Sequence, residues 1–283
     1  MSTGLDVPRR LKIITPQGQS TRGVSLPEQL WDAWHDAEVG WFLATKALKR
    51  DVFGLSLGSI WLVLDPLLFA GTYYILLKYI FSVQGAGVSF ATFFTAATFW
   101  RSHSAMVVGS ASLIPEAVRF AGSDVSLRVA YFEFLLSEFF NFLPRFGVLI
   151  VFLAVAGYQI TGGHLYLAYL AVAQFAFSMA VSVWVSCAGG MFRDTQRFIG
   201  HAVWLWWYMS PGLYTIANIP EAVRPLYELN PFAHIMPAMI ASATEGEVTR
   251  VSAITTILVM SLLAILPGAW LASRLKHRIF YRV

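Results

Sequence analysis

The chain has 283 residues, of which 57% are hydrophobic and only 13% are charged, and its mean hydropathy is +0.61. Soluble domains carry roughly 25% charged residues, so this deficit excludes an ordinary soluble domain and predicts an all-α integral membrane protein. Basic loops on one side of a membrane account for the net charge of +4, so this charge does not indicate a nucleic-acid partner. The single cysteine, Cys187, excludes a disulfide framework.

The N-terminal segment is polar and lacks the apolar core and small-residue cleavage site of a signal peptide. We expect residues 1–26 to form a disordered cytoplasmic tail and Ser25 to cap the helix that follows. In residues 27–50 the apolar positions recur at helical intervals: Trp31, Trp34, Trp41, Ala44 and Leu48. This pattern predicts an amphipathic helix lying at the membrane interface; the alternative is a helix packed on the bundle.

Residues 51–275 are predicted to form the transmembrane domain, and residues 276–283 a basic cytoplasmic tail. Six runs are long and apolar enough to cross a membrane: 55–81, 88–113, 129–156, 165–191, 198–217 and 251–271. Most of the 20 Lys and Arg residues lie in the two termini and in the loops after the second and fourth runs. Because basic loops stay inside, both termini are predicted to be cytoplasmic.

Two apolar pieces between the fifth and sixth runs are too short to cross and are broken at Pro220 and Pro231. They are predicted to be re-entrant helices on the outer side, with an ordinary extracytoplasmic loop as the alternative. Four charged residues fall well inside predicted spans, away from the span ends: Asp65, Arg101, Glu138 and Arg145. Since a charge at membrane depth is costly, these side chains are expected to pair with one another or to face water. For Arg101, the alternative is contact with an anionic diphosphate lipid headgroup.

Four stretches, taken in order, resemble the permease subunit of ABC-2 type exporters in the polysaccharide and O-antigen export branch. They are Lys49-Arg50-Asp51 with Leu57-Gly58, Trp61 and Pro66; Trp100 with the loop Leu113–Arg119; Phe192-Arg193-Asp194; and Ser210-Pro211, Tyr214, Ile219-Pro220 and Leu229-Asn230-Pro231. The resemblance covers about residues 28–275. Two residues depart from the family's pattern: Asp65 precedes Pro66, and Arg101 follows Trp100.

The resemblance implies two permease copies with a pore on the dimer axis and two copies of a separate ABC ATPase. It also implies a gate that closes the pore from the outer side, formed by Pro211, Tyr214, Pro220, Asn230 and Pro231. The sequence has no Gly-rich phosphate loop followed by Lys and Ser/Thr, and its histidines lack metal-ligand spacing. We therefore expect no catalytic residue, metal or cofactor in this chain, and we expect ATP and Mg²⁺ to be bound by the partner.

Two short charged loops are the candidates for contact with that ATPase. Their residues are Pro115, Glu116 and Arg119 in the first loop and Arg193, Asp194 and Arg197 in the second. The alternative is that these arginines only set the topology.

Aromatic residues are the candidates for a sugar-contacting pore wall, because aromatic faces stack on the C–H faces of sugars. The candidate substrate-contacting residues are Arg101 and the aromatic residues Phe132, Phe139, Phe142, Phe146, Trp204, Trp207 and Tyr208. For each aromatic residue, packing or contact with lipid is the alternative.

The predicted function is the permease half of an ATP-driven exporter of a lipid-linked polysaccharide, of the O-antigen, teichoic acid or cell-wall glycan type. The alternatives are an ABC-2 exporter of drugs or small lipids, an integral membrane glycan-processing enzyme, and a passive channel. The enzyme requires acidic or histidine constellations that the sequence lacks, and a channel gives the two charged loops no role.

Overall fold

The structure is a computed structural model that describes residues 26–53, 60–82, 89–119, 127–158, 161–214 and 216–280. Within these ranges the regular structure is helical throughout, with no strand. The predicted tail, Ser25 and the last residues of the chain lie outside the described ranges.

Five α-helices make up the first half of the chain: α1 (Leu26–Phe53), α2 (Ile60–Ile75), α3 (Phe90–Ser110), α4 (Leu113–Arg119) and α5 (Leu127–Val155). Helix α2 continues into a π-helical turn over Leu76–Ile80. The second half contains α6 (Gly163–Met191), α7 (Thr195–Tyr208), a 3₁₀ turn (Ile216–Asn218), α8 (Arg224–Tyr227), α9 (Phe232–Thr244) and α10 (Val251–Phe280).

Four stretches in the described part of the chain are long and apolar enough to cross a membrane: Val63–Ile80, Arg128–Val155, Gly163–Met191 and Val251–Leu275. Helix α3, which coincides with the predicted second span, is not among them. It carries Arg101, His103 and several threonines and serines, but most of its side chains are buried. Because α2, α5, α6, α7 and α9 all pack on α3, protein rather than lipid surrounds much of it.

The predicted fifth span, 198–217, is helical only as far as Tyr208. The 14 residues of α7 extend about 21 Å, less than the ~30 Å of a hydrocarbon core. After Tyr208 the chain turns and returns through the 3₁₀ turn, α8 and α9. The helix is shorter than predicted because the chain enters a turn at this point. Ser210, Pro211 and Gly212 form this turn and are all buried beneath α9.

A stripe of polar residues on α6 fixes the position of α3. Gln174, Ser178 and Ser182 are spaced four residues apart, so they share one face of α6, and all three are buried. Each of the three makes a hydrogen bond to α3. Gln174 Nε2 donates to the Phe99 carbonyl at 2.7 Å, and Ser182 Oγ donates to the Met106 carbonyl at 3.0 Å. Between them, Ser178 Oγ lies 2.8 Å from His103 Nδ1. One turn further on, Ser186 contacts the Tyr131 hydroxyl of α5. Hydrogen bonds of this kind join helices in membranes, where lipid removes the hydrophobic drive for association.

Helix α1 packs along α5. Gly40 lies so close to Phe132 that a Cβ added there would be 2.7 Å from the Phe132 Cβ. The Arg128 Nε and the Asp36 Oδ2 form an ion pair at 2.9 Å at the start of α5. Trp34 and Trp41 remain exposed on the outside of α1. This exposed aromatic surface fits either a membrane interface or lipid contact.

Close backbone contact also occurs where the loop after α3 meets α6. A Cβ added to Gly189 would overlap the carbonyl of Ala111, a clash with backbone that no side-chain motion relieves. The start of α4 is thereby held against α6, and Ile114 is fully buried beside Cys187 and Ala272.

We expect Gly189→Ala to lower the free energy of unfolding by about 1–3 kcal/mol, since the added methyl group overpacks this contact. The matched control is Gly147→Ala on α5, where a Cβ meets nothing within 4 Å, and this change should raise stability by about 0.5–1 kcal/mol. Thermal unfolding of the purified protein in detergent measures both. Equal effects of the two substitutions would contradict the proposed close contact.

Candidate functional site

Arg101 on α3 pairs with Asp65 on α2 through Arg101 Nη2 and Asp65 Oδ2. The two side chains remain 39% and 42% exposed, respectively, in the single chain. Arg145 on α5 lies near enough to interact electrostatically with Glu138, Arg101 and Asp65. The intramembrane charges of three helices are therefore gathered in one region, as the cost of isolated charge predicts.

This pairing accounts for both departures from the family pattern, because Asp65 and Arg101 are each other's partners. The ion pair also lies at the surface of the chain, so Arg101 is accessible to a ligand while it is paired with Asp65. Contact between Arg101 and a substrate stays a prediction.

Helix α2 connects this ion pair to a group of aromatic residues. Asp65, Phe69 and Tyr73 are spaced four residues apart and share one face of α2, with Tyr73 about 12 Å from Asp65 along the axis. The Tyr73 and Tyr208 hydroxyls are 3.0 Å apart, which joins α2 to the end of α7. Phe69 and Tyr73 also pack on Trp207, with ring centroids at 5.3 and 6.0 Å.

The aromatic residues of α7 divide between two faces. Trp207 is only 2% exposed and packs on Trp100 of α3 at 5.4 Å, so it belongs to the core. Trp204 is 58% exposed and lies on the exposed side of the helix with Tyr208, with ring centroids 5.1 Å apart. Arg197 and His201 are exposed on the same side, at positions that helical spacing aligns with Trp204 and Tyr208. We call Arg197, His201, Trp204 and Tyr208 the exposed face of α7.

The phenylalanine stripe of α5 is used mainly for packing. Phe142 and Phe146 stack on each other at 5.4 Å and contact Phe99 of α3 at 5.6 and 6.0 Å. Phe142 is buried, so it is unavailable to a substrate in this conformation. Phe132 contacts α1, and Phe139 is exposed beside Phe175 of α6. Of the four, Phe139 presents the most accessible ring, and its contact with sugar stays a prediction.

Asn230 is the central residue of the predicted gate. Its amide oxygen accepts from Trp206 Nε1 at 2.9 Å and from the Phe232 N–H at 3.1 Å. Its amide nitrogen donates to the Met209 carbonyl at 3.0 Å and to Ser210 Oγ at 3.2 Å. A primary amide has two donors and two acceptor sites, so its full capacity is used. Asn230 thereby connects α7, the turn after it and the start of α9.

Tyr214 lies beside this connection. The Tyr214 hydroxyl donates to the Tyr208 carbonyl at 3.0 Å and accepts from the Tyr227 hydroxyl at 3.3 Å. Burial, with the adjacent Tyr214 hydroxyl, raises the pKa of Tyr227 above its usual range. The Tyr227 hydroxyl therefore stays protonated at neutral pH.

The three gate prolines differ in environment. Pro211 is buried in the turn, Pro220 is exposed, and Pro231 immediately precedes α9. The structure brings Pro211, Tyr214, Asn230 and Pro231 together around one turn, with Pro220 outside it.

The candidate ATPase-coupling residues lie at the other end of the bundle. In α4, Glu116 is exposed and Pro115 is partly buried; the side chain of Arg119 is outside the described structure. Arg193, Asp194 and Arg197 are exposed where α6 passes into α7. Since Ala111 packs against Gly189, both loops lie at the same end of α6.

Two features of the site are absent from the residues predicted from the sequence: a polar stripe on α6 and Tyr73 on α2. The stripe Gln174, Ser178, Ser182 and Ser186 is visible as polar residues at four-residue intervals in an otherwise apolar helix. That spacing is the signal that identifies a helix interface in a membrane. Tyr73 has no comparable signal, because its role depends on the distant Tyr208.

Three curated proteins are similar to the chain over most of its length. An O-antigen export system permease protein RfbA of Klebsiella pneumoniae is 30% identical over 203 residues, which are 69% of this chain and 75% of that protein. Another protein of that name from the same organism is 26% identical over 245 residues, 83% of this chain and 91% of that protein. An RfbA permease of Myxococcus xanthus is 25% identical over 202 residues, 69% of this chain and 75% of its own length. No protein-family model matches the chain.

Replacing Arg101 by Gln should lower the free energy of unfolding by roughly 1–3 kcal/mol, because Asp65 is left without its partner. The loss is expected to stay below the about 3–5 kcal/mol of a fully buried pair, since both side chains are partly exposed. The double variant Asp65→Asn, Arg101→Gln should recover most of the stability in thermal unfolding. A stable Arg101→Gln protein that has lost activity would instead assign Arg101 to substrate contact.

Asn230→Ala should destabilise the protein by about 1–3 kcal/mol, because Trp206 Nε1 and the Phe232 N–H lose their acceptor. Glu221→Gln, at an exposed position in the same segment, serves as the control and should be neutral. Limited proteolysis between α7 and α9 measures the local effect. Unchanged cleavage rates in the Asn230 variant would contradict the connecting role.

Proposed function

This chain belongs to the O-antigen export family of ABC-2 type permeases, and we propose from that membership that it carries a lipid-linked polysaccharide across the cytoplasmic membrane. The observation that carries the proposal is 30% identity to an O-antigen export permease over 75% of that protein's length. The glycan is of the O-antigen, teichoic acid or cell-wall type. The chain is the permease subunit of an ABC exporter in a multi-pass membrane setting, and a separate ATPase supplies the energy.

The proposed topology has six spans with both termini in the cytoplasm. Four of them correspond to the apolar stretches in α2, α5, α6 and α10. Helix α3 is the second span, shielded from lipid by its neighbours, and α7 supplies the fifth together with the turn that follows it. Helix α1 lies at the interface with Trp34 and Trp41 in the headgroup region, a location that suits exposed tryptophan.

The proposed pore lies between two copies of this chain. The partly exposed ion pair, and the exposed Arg197 and His201 on α7, are unfavourable against lipid, which supports their facing a partner or a water-filled path. The exposed face of α7 combines two aromatic rings with Arg197 and His201. Aromatic rings contact the C–H faces of sugar rings, while Arg and His donate hydrogen bonds to hydroxyl groups. Such a wall allows a glycan to slide without fixing one position.

The proposed coupling elements are α4 and the Arg193–Arg197 turn, which contact the ATPase. The exporter contains two permease copies and two ATPase copies. Helix α4 is anchored by buried Ile114, so a push on exposed Glu116 is transmitted to α6 and α10 as a rigid movement. The turn leads directly into α7, whose exposed face lines the proposed pore. Movement of the ATPase is thereby linked to the pore wall.

The segment from Pro211 to Pro231 is the proposed outer gate, and α8 and α9 are re-entrant. Support comes from the length of α9, an apolar helix of 13 residues that is too short to cross yet largely buried. Asn230 joins this gate to the end of α7, so a shift of α7 is passed to the gate.

Depletion of the permease should cause lipid-linked glycan to accumulate inside the cell and to disappear from the surface. Extraction of lipid-linked glycans and surface labelling measure the two pools. Normal surface glycan after depletion would contradict the substrate class, and re-expression of the intact chain is the control.

Glu116→Lys should reduce the amount of ATPase that co-purifies with the permease by about tenfold or more, the change that ~1.4 kcal/mol of binding free energy produces. The matched control is Glu221→Lys, which makes the same charge change at the opposite end of the bundle. Equal co-purification of both variants would remove α4 from the coupling interface.

A further inference from the structure

A cavity of about 560 Å³ lies at the outer end of the bundle, beside the proposed gate. Its walls come from the start of α3, the end of α5, the turn after α7, and the end of α9 with the segment leading to α10. The residues that bear on its chemistry are Thr92, Tyr158, Tyr214, Glu245 and Arg250, with Ile240 on the apolar side. The volume is in the ordinary range for small-molecule sites.

One wall of this cavity is held in place by hydrogen bonds to the start of α6. The Tyr166 hydroxyl donates to the Thr249 carbonyl at 2.9 Å, and Ser242 Oγ donates to the Gly163 carbonyl at 2.8 Å. Gly163 lies so close to Gly246 that any added Cβ would overlap the Gly246 carbonyl. The segment between α9 and α10 is therefore preformed, which lowers the entropic cost of binding a ligand.

Arg250 is held in this wall with a φ of 58°, in the left-handed region that a side chain rarely adopts. Its Nη1 donates to His234 Nδ1 at 3.2 Å. Because arginine has no acceptor, His234 must carry its proton on Nε2, which donates to the Glu228 carbonyl at 2.9 Å. A strained residue with an oriented guanidinium at a cavity is typical of a binding site.

The lining suits a hydroxyl-rich, uncharged ligand. Tyr158 and Tyr214 supply aromatic rings, Thr92 supplies a hydroxyl, and Glu245 and Arg250 supply an acceptor and donors whose charges offset. A phosphate group would meet the Glu245 carboxylate, and a purely apolar ligand would leave these polar groups unpaired.

We propose that this cavity binds a short saccharide segment of the transported glycan on the outer side of the gate. The proposal rests on the proposed function. Tyr214 belongs to both the cavity and the gate, and its hydroxyl is bonded to the last residue of α7. A saccharide in the cavity is therefore positioned to stabilise the gate in one conformation and to oppose backward movement of the chain.

The test places a photo-crosslinking amino acid, p-benzoylphenylalanine, at Tyr158 or Ile240 in cells that make and export the glycan. The same amino acid in place of Trp204 tests whether glycan passes the proposed pore wall. In place of Leu263, which is exposed on α10, it measures labelling at a site expected to contact lipid. After irradiation, the permease is purified under denaturing conditions and probed with a glycan-specific antibody. We expect glycan adducts at 158 and 240 that require a functional ATPase, and none at 263.

Adducts at 204 without adducts at 158 and 240 would overturn the cavity site and leave the proposed function intact. Equal adducts at 158 and 263 would also overturn it, because the labelling would be non-specific. Absence of adducts at every position, together with no glycan accumulation on depletion, would overturn the proposed function itself.

A second variant guards against misfolding. Arg250→Gly removes the guanidinium and its hydrogen bond to His234 but also relieves the positive-φ strain, so the two effects offset and the chain should still fold. Adduct yield at 158 should fall about fivefold in this variant, the change that one lost hydrogen bond produces. Unchanged yield would show that Arg250 and its wall do not hold the saccharide.

Discussion

The contact between α3 and the polar stripe of α6 is the constraint on which the rest of the bundle depends. Lipid tails are as apolar as leucine, so apolar side chains alone do not hold two helices at a fixed register. Gln174, Ser178 and Ser182 supply hydrogen bonds at successive turns. Two of them end on backbone carbonyls of α3, and the third, between Ser178 and the His103 side chain, is available at only one register of α3. The other helices then pack around an axis that is already fixed.

The central position of α3 allows it to be more polar than the four stretches that are long and apolar enough to cross a membrane. A helix that carries Arg101, His103 and several threonines is costly against lipid, but its neighbours cover most of its surface. Arg101 is among the residues left partly exposed, and Asp65 of α2 neutralises it. The same arrangement leaves the ion pair at the surface of the chain, beside the aromatic residues that join α2 to α7.

Where α7 ends, the amide of Asn230 combines the end of α7, its following turn and α9 into one unit. Because α7 is short, the turn is placed within the depth of the bundle rather than above it. The proposed gate, the exposed face of α7 and the cavity lined by Tyr214 are thereby adjacent. A movement that begins at the opposite end of α7 has a direct mechanical route to all three.

The sequence by itself determined the helical membrane class, the approximate positions of the helices, the family, and the expectation that intramembrane charges would meet. These properties follow from local composition, from the length of apolar runs and from the cost of isolated charge. Only the tertiary structure decided that Trp207 is buried while Trp204 is exposed, that Phe142 packs on Phe99, and that α7 ends at Tyr208. Aromatic residues on one helix are chemically alike in sequence, and only neighbours distant in the chain decide which of them faces protein.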